Sequence, residues 1–214
     1  WHGGELCCCS TAAGPAFEGA GLSMGMQGAN GAVDHLRVED GELRAHVLGG
    51  GEPVGICGSG VVDALACLLE IETLDETGLL DDDPTVLCGN VSLTQKDVRM
   101  IQLAKSAVCA GMRTLVQHAK LPWEQVSELL VAGGFGSYLD LENAGKIGLI
   151  PPELVARTRA IGNASLDGAS MLLLDRALRE ETEEMANNAH TADLSTDPVF
   201  MQWYTDGMFF ETPD

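Results

Sequence analysis

The chain is short of aromatic side chains, of cations and of long apolar runs, and each shortage removes a class of protein. Aromatic residues make up 5% of the 214 residues against 45% hydrophobic residues overall. The core must therefore be built from Ala, Val, Leu and Ile, as where helices pack on a sheet. The 12 Lys and Arg are outnumbered by 32 Asp and Glu, giving a formal charge of −20. A duplex or an anionic bilayer repels such a surface, so neither nucleic acid nor membrane is expected as a partner. No apolar run approaches the roughly 20 residues of a membrane helix, and no signal peptide is visible. Seven cysteines, an odd number, fit a reducing compartment better than a disulfide framework, and a cytoplasmic location is expected.

Several catalytic signatures are also missing. The histidines are scattered, with no H-E-x-x-H and no pair on one helix face. A Ser-His-Asp triad needs a nucleophile elbow, and "CGSG" lacks its spacing, so hydrolysis by a triad is not expected. Neither the P-loop nor a complete Rossmann glycine fingerprint occurs. The three adjacent cysteines Cys7, Cys8 and Cys9 suggest a metal or redox site, but metal ligation wants spaced pairs that converge. On a strand, Cys7 and Cys9 face one side and Cys8 the other, and the other four cysteines are isolated in apolar runs. All seven are expected to be small core residues. No catalytic residue and no metal ligand is assigned.

What is present is a series of strands, glycine turns and helices, the pattern of an α/β domain. "VDHLRV" and "LRAHVL" flank Asp40-Gly41, a strong hairpin signal, and the first 50 or so residues are expected to form a small antiparallel unit. Gly58-Ser59-Gly60 opens a helix with Ser59 as N-cap. Thr94 and Asp97 form a capping box ahead of Val98, Ile101, Ala104, Val108, Met112 and Leu115 at helical spacing. A short helix is expected from Pro122, a buried strand over 128–131, one long amphipathic helix after a turn near 162, and a last helix or strand in the aromatic tail. One domain is expected, with a subdomain insertion around residues 72–92. The abrupt start at Trp1 suggests a piece of a longer protein.

The glycine turns "AAGPAFEGAG", "GICGSG" and "VAGGFGSY" each sit near a strand end or helix start. Bare backbone N–H groups there can receive anions or planar rings. Three such turns in one α/β chain point toward a nucleotide site.

Together, "CSTAAGPAFEGAGLSMGM", "PVGICGSGVVDALACLL", "LTQKDVRMIQLAKSAVCAGMRTL", "LLVAGGFGSYLDLENAGKIGLIP" and "AIGNASLDGA" resemble the carboxy-terminal region of the reductive activators of corrinoid proteins. The resemblance implies an actin-like ASKHA domain, mainly its second, ribonuclease H-like lobe, with the first lobe absent. It implies a parent that uses ATP to drive uphill electron transfer, returning a cob(II)amide corrinoid protein to cob(I)amide. The parent's two-iron two-sulfur cluster belongs to an amino-terminal region absent here. ATP and Mg²⁺ are the implied ligands, with half of their site in this chain. A corrinoid protein is the implied partner, and a homodimer stays open.

Carried onto this sequence, Gly133, Gly134, Phe135 and Gly136 match the adenosine motif, and Gly14, Glu18 and Gly19 are implied to face phosphate or its Mg²⁺. Gly58, Ser59 and Gly60 add candidate N–H donors. No D-x-G-T-x-G phosphate hairpin occurs, so the isolated chain is expected to be inactive. Two other readings stay open: a kinase of the same superfamily acting on a sugar or acyl group, which needs a base carboxylate in the cleft, and a non-enzymatic docking module for a corrinoid protein.

Overall fold

The computed structural model describes residues 1–210. The chain enters through a two-residue strand, β1 (Cys7–Cys8), and a tight 3-10 turn at Ala16–Glu18. Strands β2 (Ala32–Glu39) and β3 (Glu42–Val47) then form the expected antiparallel hairpin. Its two-residue turn has positive φ at both Asp40 (54°) and Gly41 (78°), the mirror-image geometry that matches strand twist. Strand β4 (Gly55–Ile56) adds to the other edge of β2 in parallel, giving the order β3-β2-β4. The antiparallel unit is thus narrower than expected: β1 pairs elsewhere.

Helix α1 (Gly58–Glu70) is buried over residues 58–68. It is apolar nearly all round, as a helix enclosed on every side must be. It lies against β2 closely enough that a Cβ on Gly60 would meet the Val33 carbonyl oxygen at 2.2 Å. The N-cap of α1 is Cys57, which corrects the expectation for Ser59; Ser59 lies inside the first turn because the chain leaves extended geometry two residues earlier.

An acidic loop leads to the hairpin of β5 (Thr85–Cys88) and β6 (Val91–Leu93), and then to α2 (Gln95–His118). The capping box forms as expected: the Asp97 N–H donates to Thr94 Oγ1, and Asp97 Oδ2 accepts from the Thr94 N–H. Val98, Ile101 and Ala104 are buried, while Val108, Met112 and Leu115 are half-buried. Beyond a 3-10 turn at Trp123–Gln125, where Pro122 caps rather than starts the helix, come β7 (Leu129–Val131), α3 (Gly134–Ser137) and α4 (Leu141–Lys146). Strand β8 (Thr158–Ala160) pairs in parallel with β7. The strand expected to be buried at 128–131 is half-buried or exposed, since among the described residues β8 alone pairs with it.

The long helix expected next is two, α5 (Ala164–Leu174) and α6 (Ala177–Asn187). Asp175 breaks it by taking extended geometry and accepting the Ala177 N–H at 2.9 Å. Neither helix has a buried residue. Strand β9 (His190–Thr191) then pairs in parallel with β1, and α7 (Pro198–Asp206) packs along α2. The tail is therefore helical up to Asp206; its last residues, 211–214, lie outside the described residues.

Buried polar groups of α2 hold the segment after α7. Lys105 Nζ donates to the carbonyls of Gly207 (2.7 Å) and Phe209 (2.6 Å) and lies 4.8 Å from the Phe210 ring centroid. Burial pushes the Lys105 ammonium down to about 8. Gln102 donates to the Met208 carbonyl at 2.7 Å. Arg113 makes a two-pronged pair with Glu153, at 3.1 Å for each bond, and lies against both Trp123 and Trp203. The scarce aromatics are thus spent partly on sheathing a buried cation.

Among the described residues no helix is long and apolar enough to cross a membrane. Cys57, Cys67 and Cys109 are buried as expected, but Cys7 is exposed and Cys8, Cys9 and Cys88 are half-buried. Among the described residues strand β1 has only β9 beside it, so its cysteines lack the second layer that a core position requires.

Candidate nucleotide cleft

A cleft of about 540 Å³ opens between the amino end of α1, the 3-10 turn at Ala16–Glu18, and α3. Its size suits a small organic ligand. Glu18, Gly58, Ser59, Gly134 and Phe135 line it, joined by Phe17, Asp34 and Tyr138. Turns more than a hundred residues apart in sequence therefore share one wall.

The α1 end is an uncapped helix start. Cys57 is extended and its side chain makes no capping bond. The first intrahelical bond runs from the Val61 N–H to the Cys57 carbonyl. Among the described residues no acceptor outside the helix reaches the N–H groups of Gly58, Ser59 or Gly60, and of these three Gly58 and Ser59 line the cleft. Gly58 itself is fixed by packing: a Cβ would lie 2.0 Å from the Phe17 carbonyl oxygen.

The wall continues at Gly133, whose φ of 99° and N–H bond to the Gly162 carbonyl (2.8 Å) turn the chain from β7 into α3. A Cβ on Gly134 would meet no atom within 4 Å, so the backbone is open to the cleft. Phe135 stacks on Phe17 with ring centroids 5.3 Å apart and planes 24° from parallel. An apolar, aromatic face beside bare backbone is suited to a planar ring.

The remaining candidate residues do not line the cleft. Gly14 is exposed. Gly19 is buried with φ 79°, and a Cβ there would meet the Met26 carbonyl oxygen at 2.5 Å. Gly60 packs on β2, and a Cβ on Gly136 would meet Val131 Cγ1 at 2.4 Å. These glycines shape the walls rather than face the space between them.

Asp34 was not among the sequence candidates. It sits at an irregularity in β2, where the register shifts between Val33 and His35. There it accepts a 2.6 Å bond from His46 Nδ1 through Oδ1. Its neighbour His35 makes a parallel contact, at 2.8 Å, with Asp63 Oδ2. In sequence Asp34 reads only as one polar residue in an alternating strand; the bulge that re-aims it leaves no signal there.

Gly21-Leu22-Ser23-Met24-Gly25 does have G-x-S-x-G spacing, against the expectation that no nucleophile elbow occurs. Ser23 lies in a turn rather than between strand and helix, and its hydroxyl contacts Asp97 and Thr94, with no histidine among its partners. It ties a loop to the start of α2. Among the described residues no group of three His, Cys, Asp or Glu converges as metal ligands would.

Among the described residues the cleft carries two carboxylates, Glu18 and Asp34, and no Lys or Arg. A polyphosphate would meet free N–H donors but no side-chain cation. Such a site fits a nucleotide whose charge is bridged by a divalent metal, since Mg²⁺ is held by one or two carboxylates together with substrate phosphates.

Comparison with known proteins agrees with this architecture. The family model described as the C-terminal domain of RACo, the ASKHA domain, matches residues 1–214. A solved structure of a reductive activator for corrinoid, iron-sulfur protein superposes with a TM-score of 0.84 at 33% identity, over 94% of this chain and 36% of that one. The chain is an ASKHA domain. Among curated proteins, the corrinoid activation enzyme RamQ of Eubacterium limosum is 35% identical over 91% of this chain and 38% of its own length. The [Co(II) methylated amine-specific corrinoid protein] reductase of Methanosarcina barkeri is 29% identical over 99% of this chain and 45% of its own length. The chain belongs to the RACo carboxy-terminal domain family, and spans less than half the length of these relatives.

Proposed function

We propose that this chain is the carboxy-terminal part of an ATP-dependent reductive activator, and that its cleft receives the adenine nucleotide with Mg²⁺. The activator returns a corrinoid protein from cob(II)amide to cob(I)amide in the cytoplasm. The observation that carries the proposal is the convergence of the unoccupied N–H groups of α1 and the open Gly134-Phe135 backbone on one cleft. The N–H groups take phosphate oxygens, Glu18 stands on the metal side, and the purine lies against Gly134 and the Phe17–Phe135 pair. Gly14, Gly19, Gly60, Gly133 and Gly136 serve the site by setting the path of the walls. Residues 72–92 form a subdomain insertion outside the cleft. Electrons come from a two-iron two-sulfur cluster carried elsewhere in the full-length protein.

The test is ATP hydrolysis by the full-length protein with and without a cob(II)amide-bearing corrinoid protein. Stimulation is expected, together with recovery of the cob(I)amide spectrum. Hydrolysis stimulated by a sugar or a carboxylic acid instead would mark a superfamily kinase. No hydrolysis at all, with the corrinoid protein still bound, would mark a docking module. Residues 1–214 alone, holding half of the site, should bind ATP weakly or not at all in calorimetry; micromolar affinity would contradict the half-site assignment.

A further inference from the structure

We propose that Asp34 is the carboxylate that receives the proton of the water attacking the terminal phosphate of ATP, with His46 as its positioning residue. The inference rests on the reading of the cleft as an ATP site.

Two histidine–aspartate pairs lie side by side on the β2–β3 hairpin, because His35 and His46 are cross-strand neighbours. Both aspartates are buried, Asp63 at 2% and Asp34 at 9% exposure. Their remaining bonds differ. Asp63 uses both oxygens: Oδ2 accepts from His35 and from the Leu36 N–H (3.3 Å), and Oδ1 accepts from Asn143 Nδ2 at 2.8 Å. It joins β2, α1 and α4 and is spent on structure. Asp34 uses only Oδ1, on His46; among the described residues Oδ2 has no hydrogen-bond partner, and the residue lines the cleft. A carboxylate held from behind by an imidazole, with its second oxygen free in a cleft, is the arrangement of an oriented general base.

Its position suits that task. The Cys57 N–H, at the cap of α1, bonds to the Val33 carbonyl at 3.1 Å. Asp34 therefore stands one residue from the strand atom that anchors the anion-receiving helix end. The β2 irregularity supplies the extra residue that turns Asp34 toward the cleft. Glu18, the exposed last residue of the 3-10 turn, has no such partner and is left for the metal.

In the step, the water oxygen forms a bond to the γ-phosphorus and the bond from that phosphorus to the β,γ-bridging oxygen breaks. ADP and phosphate result. The water proton passes to Asp34 Oδ2 and then to solvent as products leave. No oxidant or reductant is needed.

The experiment is single-turnover hydrolysis of bound ATP by the full-length protein, beside titration with Mg²⁺ and a non-hydrolysable ATP analogue. Asp34→Asn should bind the analogue within about threefold of wild type yet hydrolyse ATP at least about 100-fold more slowly, the usual scale of a lost general base. His46→Ala should lower the rate about tenfold with KM unchanged, and His46→Asn, which restores an N–H donor, should recover most of it. An Asp34→Asn rate within about threefold of wild type overturns the inference. So does loss of Mg²⁺-dependent analogue binding, which would make Asp34 a metal ligand, or a His46→Ala defect confined to KM. If wild type binds no analogue, the cleft reading falls and this inference with it; binding with an active Asp34→Asn removes the inference alone.

Discussion

The two glycine turns that wall the cleft have similar composition and opposite physical reasons for it. In "GICGSG" the glycines are required by the protein itself: Cβ atoms at Gly58 and Gly60 would fall 2.0 and 2.2 Å from backbone oxygens of Phe17 and Val33. In "VAGGFGSY" Gly136 packs on Val131, but among the described residues no atom lies within 4 Å of a Cβ at Gly133 or Gly134. The first turn is glycine because helix and sheet approach closely; the second leaves backbone uncovered for something else to touch. The difference extends outward. Behind the first turn, α1, α2 and β2 form a packed core around Val61, Leu65, Leu68 and Ile101. Behind the second, β7 is half-buried at best and α5 and α6 bury no residue.

Four measurements can break or sharpen this comparison. Gly60→Val should be the most damaging, costing upward of about 4 kcal/mol because the backbone oxygen it meets cannot move without parting α1 from β2. Chemical denaturation followed by circular dichroism measures it, and a loss under about 1 kcal/mol would mean that the helix end is slack.

The packed half also carries a pH signature at Lys105. The lowered group, at about 8, keeps its proton less tightly when folded than when unfolded. The cost is therefore full below about pH 8 and disappears as pH rises toward the ordinary lysine range, stability increasing by on the order of 3 kcal/mol over that window. Subtracting the stability profile of Lys105→Met isolates this from the cysteines, whose raised values act in the opposite sense. A flat difference between the two profiles would show that the ammonium is solvated.

Gly134→Val should change the melting temperature by no more than the equivalent of about 0.5 kcal/mol, since its side chain enters open space, yet abolish nucleotide binding by the full-length protein. Unchanged affinity for a fluorescent ATP analogue would remove Gly134 from the adenine side. Leu174→Ser, at a residue 88% exposed, should have the least effect on the stability of residues 1–214, within about 0.5 kcal/mol. A larger loss would show that α5 is packed more tightly than its exposure indicates.

Much of the packed half could be read from residue order. The Asp40-Gly41 turn, the Thr94–Asp97 cap and the apolar stripe of α2 are local signals, set by neighbours three or four positions away. The open half was read less well for the same reason. An unbroken helical pattern over α5 and α6 hid the break at Asp175, where the side chain competes for the backbone N–H of Ala177. A run of apolar residues at 128–131 looked buried because sequence cannot count the strands that will flank it.

Within the cleft, Gly58, Ser59, Gly134 and Phe135 were visible because glycine beside a helix start is a chemical signature in its own right. Asp34 was not. Its meaning depends on one extra residue in β2 and on His46 from the facing strand. Residue order alone determined the α/β class, the main caps and turns, and the family, since these depend on short-range spacing and on ordered blocks of residues. Only the tertiary structure decided which glycines face the cleft and which serve packing, and which of two buried aspartates keeps a free oxygen. Those are questions of distance between segments far apart along the chain, and no local pattern encodes them.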